Sequence, residues 1–173
     1  MKTKLLLLSI IASVLMFAGS SALAQTVEVT IPAMYDTTGA PILIPIMVSD
    51  VTGLGINAYT FTLFVDATVL EPIDYSTSET LTDGWLTFSS KKTGEITIAA
   101  AGTDTLKGAG VLVYVNFHVI GDVGAKTTLA FSQFAFNEGS PSASTKAGSF
   151  SVPKVTHGPV CGAVTATSAR FVI

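Results

Sequence analysis

Apolar side chains recur at every second position over residues 111–119, and this spacing constrains the fold more than any other feature of the chain. The odd-numbered set is Val111, Val113, Val115, Phe117 and Val119, and the even-numbered set is Leu112, Tyr114, Asn116 and His118. Successive side chains of a β-strand point to opposite faces, so a period of two is typical of a strand with one face in a core. The segment therefore predicts a strand whose odd-numbered side chains are buried.

A second alternation runs through residues 56–65. The larger set of side chains is Tyr59, Phe61, Leu63 and Val65, and the smaller set is Ile56, Ala58, Thr60 and Thr62. Phe64 lies on the same face as the smaller set and breaks its pattern. We expect the larger set to face the core and the smaller set to form an outer surface of low polarity. Such a surface is typical either of a half-covered sheet or of a partner-binding face.

The rest of the chain has the same character, with short β-branched and aromatic runs separated by Gly, Pro, Asp and Ser. Nine runs are predicted as strands: Val27–Ile31, Ile42–Val48, Gly55–Val65, Val69–Tyr75, Gly84–Ser89, Glu95–Ala101, Gly110–Ile120, Thr127–Asn137 and Ala147–Val152. No helical periodicity extends over ten positions outside the amino terminus. The pattern predicts an all-β sandwich or barrel, with Phe61, Leu63, Val113, Val115 and Phe117 in its core.

The amino terminus has the three parts of a secretory signal. Lys2 and Lys4 precede the apolar run Leu5–Phe17, and Ala22-Leu23-Ala24 provides a small-residue cleavage site before Gln25. A membrane-spanning helix needs about 20 apolar residues, which this run does not reach. We expect a signal peptide over residues 1–24, a secreted domain over 25–153 and a linker or the start of a further domain over 154–173. No membrane span is expected after removal of the signal.

Charge and cysteine content exclude several classes of protein. The formal net charge is −3 and becomes −5 once Lys2 and Lys4 are removed, which disfavours nucleic acid as a partner because nucleic-acid-binding surfaces are basic. Only 12% of residues are charged, which argues against disorder. The single cysteine, Cys161, cannot form an internal disulfide, so stability must come from the core.

Catalytic and metal-binding patterns are absent from the sequence. The two histidines, His118 and His157, are far apart and no C-x-x-C or H-x-x-x-H spacing accompanies them. No G-x-S-x-G or D-x-D-x-D-G segment occurs, and no pair of carboxylates is singled out as a glycosidase dyad. We predict no catalytic residue, no metal and no cofactor.

Two aromatic residues are candidates for stacking on a sugar ring. Trp85 follows a turn and begins a predicted strand, and Tyr114 lies on the more polar face of the 111–119 strand. Aromatic rings can cover a sugar face, but a tryptophan in this position also suits an anchor in the core or at its rim.

The order of short motifs resembles the cohesin domain family over residues 26–153. The motifs are Ile42–Asp50, the Gly55–Phe61 segment matching G-I-x-x-x-x-F, Asp66, Val69–Glu71, Gly94–Ala99, Gly108–Val113 and Phe136–Gly139. The resemblance implies a nine-stranded jelly-roll sandwich related in fold to carbohydrate-binding modules. It also implies a non-catalytic module that binds a dockerin-type partner in extracellular polysaccharide degradation.

The resemblance also suggests where the partner would bind, and there this chain departs from the family. The family's Asn and Asp on the third strand match Ala58 and Thr60, and its leucine on the sixth strand and the acid after it match Ala100 and Thr103. We predict a partner-binding face composed of Ile56, Ala58, Thr60, Thr62, Phe64, Ala100 and Thr103. A carbohydrate-binding module that uses Trp85 and Tyr114, and a structural domain of a larger secreted protein, remain as alternatives.

Overall fold

Eleven strands form the part of the chain that the structure describes. The computed structural model describes residues 25–154. The predicted signal peptide (1–24) and most of the predicted linker (154–173) lie outside the described residues. The strands are β1 (Thr26–Thr30), β2 (Ala33–Tyr35), β3 (Pro41–Val48), β4 (Ala58–Phe64), β5 (Leu70–Ser76), β6 (Leu86–Lys92), β7 (Glu95–Ala101), β8 (Gly110–Val119), β9 (Lys126–Phe136), β10 (Ser142–Lys146) and β11 (Gly148–Ser151).

The strands form two sheets that pack as a sandwich. The five-stranded sheet has the order β10-β1-β3-β8-β5, and the six-stranded sheet has the order β2-β11-β9-β4-β7-β6. The pairs β1–β10 and β2–β11 are parallel, and all other pairs are antiparallel. The prediction of an all-β sandwich is confirmed.

Each of the nine predicted runs overlaps a strand, but the structure has eleven strands because the chain changes sheets near both ends. β1 belongs to the five-stranded sheet, and after Ile31 and Pro32 the short β2 joins the other sheet. Near the other end, β10 belongs to the five-stranded sheet and β11 to the six-stranded sheet, with Ala147 between them. At this crossing Gly148 lies so close to Ile31 that an added Cβ would be 2.7 Å from the Ile31 carbonyl oxygen.

The core lies between the sheets and contains the five residues predicted for it. Phe61, Leu63, Val113, Val115 and Phe117 are each 0% exposed, so their prediction as core residues is confirmed. Aromatic rings from β4 and β9 fill the space under the six-stranded sheet: the pairs are Phe61–Phe131, Phe61–Phe134, Phe131–Phe134 and Phe134–Phe136, with centroids 4.9–5.8 Å apart.

At the start of β8 the predicted alternation is wrong. The register of β3 against β8 shifts between Ile46, which pairs with Val113, and Met47, which pairs with Val111. Leu112 has no partner in this register and is fully buried beside Val113, whereas Val111 is partly exposed. The extra residue of a β-bulge changes which side chains face inward, and no feature of this apolar run predicts that change.

Within residues 25–154 no helix has the length and apolarity required to cross a membrane.

Candidate partner-binding face

The outward side of the six-stranded sheet, over β9, β4, β7 and β6, carries most of the residues predicted to bind a partner; we call it the outer face. Along β4 the buried side chains of Tyr59, Phe61 and Leu63 alternate with more exposed ones. Ala58, Thr60 and Thr62 are partly exposed, and Phe64 is 43% exposed. The alternation thus places these four predicted residues on one surface.

Ile56 was predicted for this face, and that prediction is wrong. Its side chain is 0% exposed and belongs to the core. β4 begins only at Ala58, and the preceding Gly55 has a φ of 67°. The alternation of the strand therefore does not extend back to residue 56. The Ile56 carbonyl instead accepts a 2.7 Å hydrogen bond from the Leu106 amide, within a loop that directs the isoleucine inward.

Ala100 was also predicted for this face and lies on the opposite side of the sheet. It pairs with buried Tyr59 and is itself 5% exposed. Since Ile96 and Ile98 are buried, a period of two directs Ala100 inward as well. The outward residues of β7 at this end are Ala99 and Ala101. Thr103 is exposed in the loop that follows β7.

Cross-strand pairing arranges the outward side chains in four rows. From β6 across the sheet the rows are Leu86–Ala101–Ala58, Phe88–Ala99–Thr60–Ala135, Ser90–Thr97–Thr62–Gln133 and Lys92–Glu95–Phe64–Ala130. The first two rows are almost entirely apolar. The third consists of hydroxyl and amide groups, and the fourth contains two charges. The polarity of the rows therefore rises from the Ala58 end of β4 to its Phe64 end.

Two pairs of polar side chains in the third and fourth rows contact each other. The hydroxyl oxygens of Thr62 and Thr97 lie 2.9 Å apart in a hydrogen bond. Lys92 Nζ lies 3.6 Å from a carboxylate oxygen of Glu95. The outer face consequently offers no unpaired charge along these four rows.

The first two rows enclose a shallow apolar depression that sequence reasoning missed. Its volume is about 260 Å³, and its lining includes Leu86 and Phe88, which are 65% and 63% exposed. Alternation in the β6 sequence would have placed these two residues in a core. β6 is an edge strand, and both residues lie on its outward side, where they pair with the exposed Ala101 and Ala99 of β7.

Asn137, at the end of β9, holds the start of β4 beside this depression. Its side-chain oxygen accepts hydrogen bonds from the amides of Asn57 and Ala58, both at 3.1 Å. Its side-chain nitrogen donates to the carbonyls of Gly55 (3.3 Å) and Ser140 (3.0 Å). The residue has a φ of 44°, a conformation that asparagine tolerates better than most side chains. These bonds fix the position of Ala58.

The two candidate sugar-stacking residues do not share a surface. The partly buried Trp85 ring stacks on Tyr59 with centroids 6.3 Å apart and packs against Gly102. Tyr114 lies on the outward side of the five-stranded sheet, where it pairs with Pro45 and Ser76. The packing of Trp85 corresponds to the rim-anchor role considered for it, and the two rings do not form a common stacking platform.

Tyr59, beneath Trp85, is the most strongly perturbed titratable group of the described chain. Burial is the main cause and raises the pKa of Tyr59 to about 12. The Thr82 hydroxyl opposes this shift in the pKa of Tyr59, and it donates a 2.6 Å hydrogen bond to the Leu112 carbonyl. The Tyr59 hydroxyl has no hydrogen-bond partner among residues 25–154. A neutral phenol in the core has no access to a substrate, so its role is packing.

The exposed carboxylates with perturbed pKa values belong to turns. Backbone and hydroxyl hydrogen bonds from Thr52 and Thr68 hold the pKa values of Asp50 and Asp66, respectively, below the usual range. His118 pairs across strands with Pro41 and Glu71. Over residues 25–154 no group of three His, Cys, Asp or Glu side chains is arranged to hold a metal ion.

Comparison with known protein families agrees with this architecture. The family model of the cohesin domain matches residues 27–152, which is most of the chain. The chain belongs to the cohesin family. No curated protein matches it in sequence.

Solved structures of other cohesins share the fold at low sequence identity. A non-cellulosomal cohesin from the hyperthermophilic archaeon Archaeoglobus fulgidus has a TM-score of 0.65 and 20% identity, covering 75% of this chain and 93% of that one. The sixth cohesin of Acetivibrio cellulolyticus scaffoldin B, in complex with a Cel5 dockerin mutant, has a TM-score of 0.63 and 19% identity, with 74% and 99% covered. A Clostridium thermocellum OlpA cohesin–dockerin complex has a TM-score of 0.64 and 17% identity, with 74% and 99% covered. The likeness shows a cohesin jelly-roll sandwich.

Proposed function

We propose that this cohesin is an exported, non-catalytic module that binds a dockerin-type partner through the outer face, in the setting of extracellular polysaccharide degradation. The observation that carries the proposal is the composition of that face: small side chains, exposed apolar residues and no unpaired charge along its four rows. Cohesins of the same fold from Acetivibrio cellulolyticus and Clostridium thermocellum are in complex with dockerins, which supports this class of partner.

The partner is held mainly by apolar burial. The two family positions that would carry Asn and Asp are Ala58 and Thr60 here, and the two charges of the four rows, Lys92 and Glu95, pair with each other. Long-range attraction between exposed charges is screened by salt, whereas burial of apolar surface is not. Affinity therefore depends little on ionic strength.

Carbohydrate binding is the less favoured function. Trp85 has one side of its ring against Gly102 and Tyr59, and Tyr114 lies on the other sheet. A binding platform of several coplanar rings would require them on one surface.

Two assays separate these functions. Dockerin-bearing proteins from the source organism are passed over the immobilised protein, and the free protein is pelleted in parallel with insoluble cellulose and xylan. Capture of a dockerin-bearing protein at both 50 mM and 500 mM salt, without pelleting, is the expected result. Pelleting without capture of any dockerin would refute the proposal in favour of carbohydrate binding.

Ala58→Arg is expected to abolish dockerin binding while the fold is retained. The arginine would project from the outer face and place an unpaired charge where the partner packs, which is costly to desolvate. Leu43→Arg is the matched control, because Leu43 is 48% exposed on the outward side of the five-stranded sheet. Calorimetric titration with the captured dockerin, and a thermal melt of each variant, measure the two effects. Unchanged affinity of Ala58→Arg would mean that the partner binds elsewhere.

A further inference from the structure

We call the shallow apolar depression at one end of the outer face the socket. Its floor is made of the alanines 58, 99 and 101, and Leu86 and Phe88 on β6 form one wall. Its volume of about 260 Å³ is below the range of about 300–1,000 Å³ that is usual for small-molecule pockets. A depression of this size suits one side chain of a larger partner.

Charge defines what can occupy this socket. No charged side chain lines it, and the ion pair between Lys92 and Glu95 lies two rows away, at the far end of β6 and β7. A charged partner group placed here would lose its water without gaining an opposite charge. The complementary occupant is therefore uncharged and apolar.

A second exposed phenylalanine on the same face provides an internal contrast. Phe64 is 43% exposed and belongs to the fourth row, where its β7 neighbour is Glu95 of the ion pair. It lies six residues along β4 from Ala58, or roughly 20 Å. Phe64 does not line the socket, and a single exposed apolar residue of this kind is ordinary on protein surfaces.

We propose that this socket takes one large uncharged side chain, aliphatic or aromatic, from the dockerin-type partner, and that Leu86 and Phe88 determine most of the affinity. The inference rests on the proposed function for the identity of the partner. Binding energy concentrates in well-packed, desolvated pockets rather than being spread evenly across an interface. Phe64, although equally aromatic, contributes little.

The first test uses small apolar probes and needs no dockerin. Benzene and isobutanol are titrated separately into the isotopically labelled protein, and amide chemical shifts are followed by NMR. The expected result is that the largest shifts fall on residues 58–60, 86–88 and 99–101. Larger shifts around Phe64 and Thr97, or equal shifts along β4, would overturn the socket.

The second test uses the dockerin that binds most tightly in the capture experiment. Phe88→Ser is expected to weaken binding at least tenfold, and Phe64→Ser less than about threefold. Filling the socket by Ala99→Leu is expected to weaken binding at least tenfold as well. Thermal melts accompany all three variants, each of which changes an exposed residue.

The outcomes distinguish this inference from the proposed function. If a dockerin binds and Phe64→Ser weakens it as much as Phe88→Ser does, the outer face is the interface but the socket is not its main contact. If no dockerin binds and the probes still collect at the socket, the assignment of the partner is overturned together with the proposed function. If dockerin binds unchanged to Ala99→Leu and Phe88→Ser, the socket is overturned outright.

Discussion

β8 and β6 both have apolar side chains at alternate positions, but these side chains are buried in β8 and exposed in β6. β8 lies inside the five-stranded sheet between β3 and β5, and Val113, Val115 and Phe117 on its inner side are fully buried. β6 lies at the edge of the other sheet, and its Leu86 and Phe88 are more than 60% exposed. An apolar residue thus contributes to stability in one strand and is free to contact a partner in the other.

Hydrogen bonds to β7 and β5 hold the exposed strand β6 in position. It pairs along its whole length with β7. At the corner of the sandwich, the Tyr75 hydroxyl of β5 donates a 2.6 Å hydrogen bond to the Thr87 carbonyl, and Lys91 donates to the Ile73 carbonyl. Backbone bonds and a few polar contacts hold the strand, so its outward side chains need not pack in a core.

Phe117→Ala, in the middle of β8, should produce the largest change. The phenylalanine is 0% exposed, and its loss removes buried apolar area and leaves a cavity. The free energy of unfolding should fall by about 3–5 kcal/mol. Chemical denaturation measures it, and an unchanged midpoint would mean that β8 faces the other way.

Leu112→Ala and Val111→Ala test which side chain faces the core at the β8 bulge. Leu112 is fully buried and Val111 is not, although the alternation predicts the reverse. Loss of the leucine should cost about 2–5 kcal/mol by the same cavity argument, and loss of Val111 clearly less. Equal costs in denaturant titrations of the two variants would contradict the bulge.

Gly102→Ala tests the contact that joins the β6 side of the sheet to the core. An added Cβ would lie 2.3 Å from the Trp85 ring, so the indole would have to move from its stacked position on Tyr59. Overpacking of this kind should cost about 1–3 kcal/mol. Trp85 is the only tryptophan, so a change in its fluorescence should accompany the loss of stability. A wild-type emission spectrum together with wild-type stability would argue against the contact.

Phe88→Ala in β6 should have the smallest effect on stability and is the matched counterpart of Phe117→Ala. The ring is 63% exposed, so its removal should change the free energy of unfolding by no more than about 0.5 kcal/mol. Denaturation of both variants under the same conditions makes the comparison. A cost near that of Phe117→Ala would show that β6 packs in a core after all.

The sequence by itself determined the all-β class, the nine strand-forming runs, the inner face of β4 and the inner face of β8 from Val113 onward, because a period of two directly reports which side of a strand is buried. It also placed Ala58, Thr60, Thr62 and Phe64 together on one surface. The resemblance to cohesins, carried by the order of short motifs, named the family.

Tertiary structure alone decided the features that depend on neighbours. Ile56 turned inward because β4 starts later than its apolar pattern does, and Leu112 because of a bulge against β3. Ala100 is an exception: its inward side follows from the same period of two as Ile96 and Ile98, and its assignment to the outer face came from the family alignment. Leu86 and Phe88 became a surface because pairing with Ala101 and Ala99 places them on the outward side of the six-stranded sheet. Hydrophobicity along one strand does not record which side a second sheet covers.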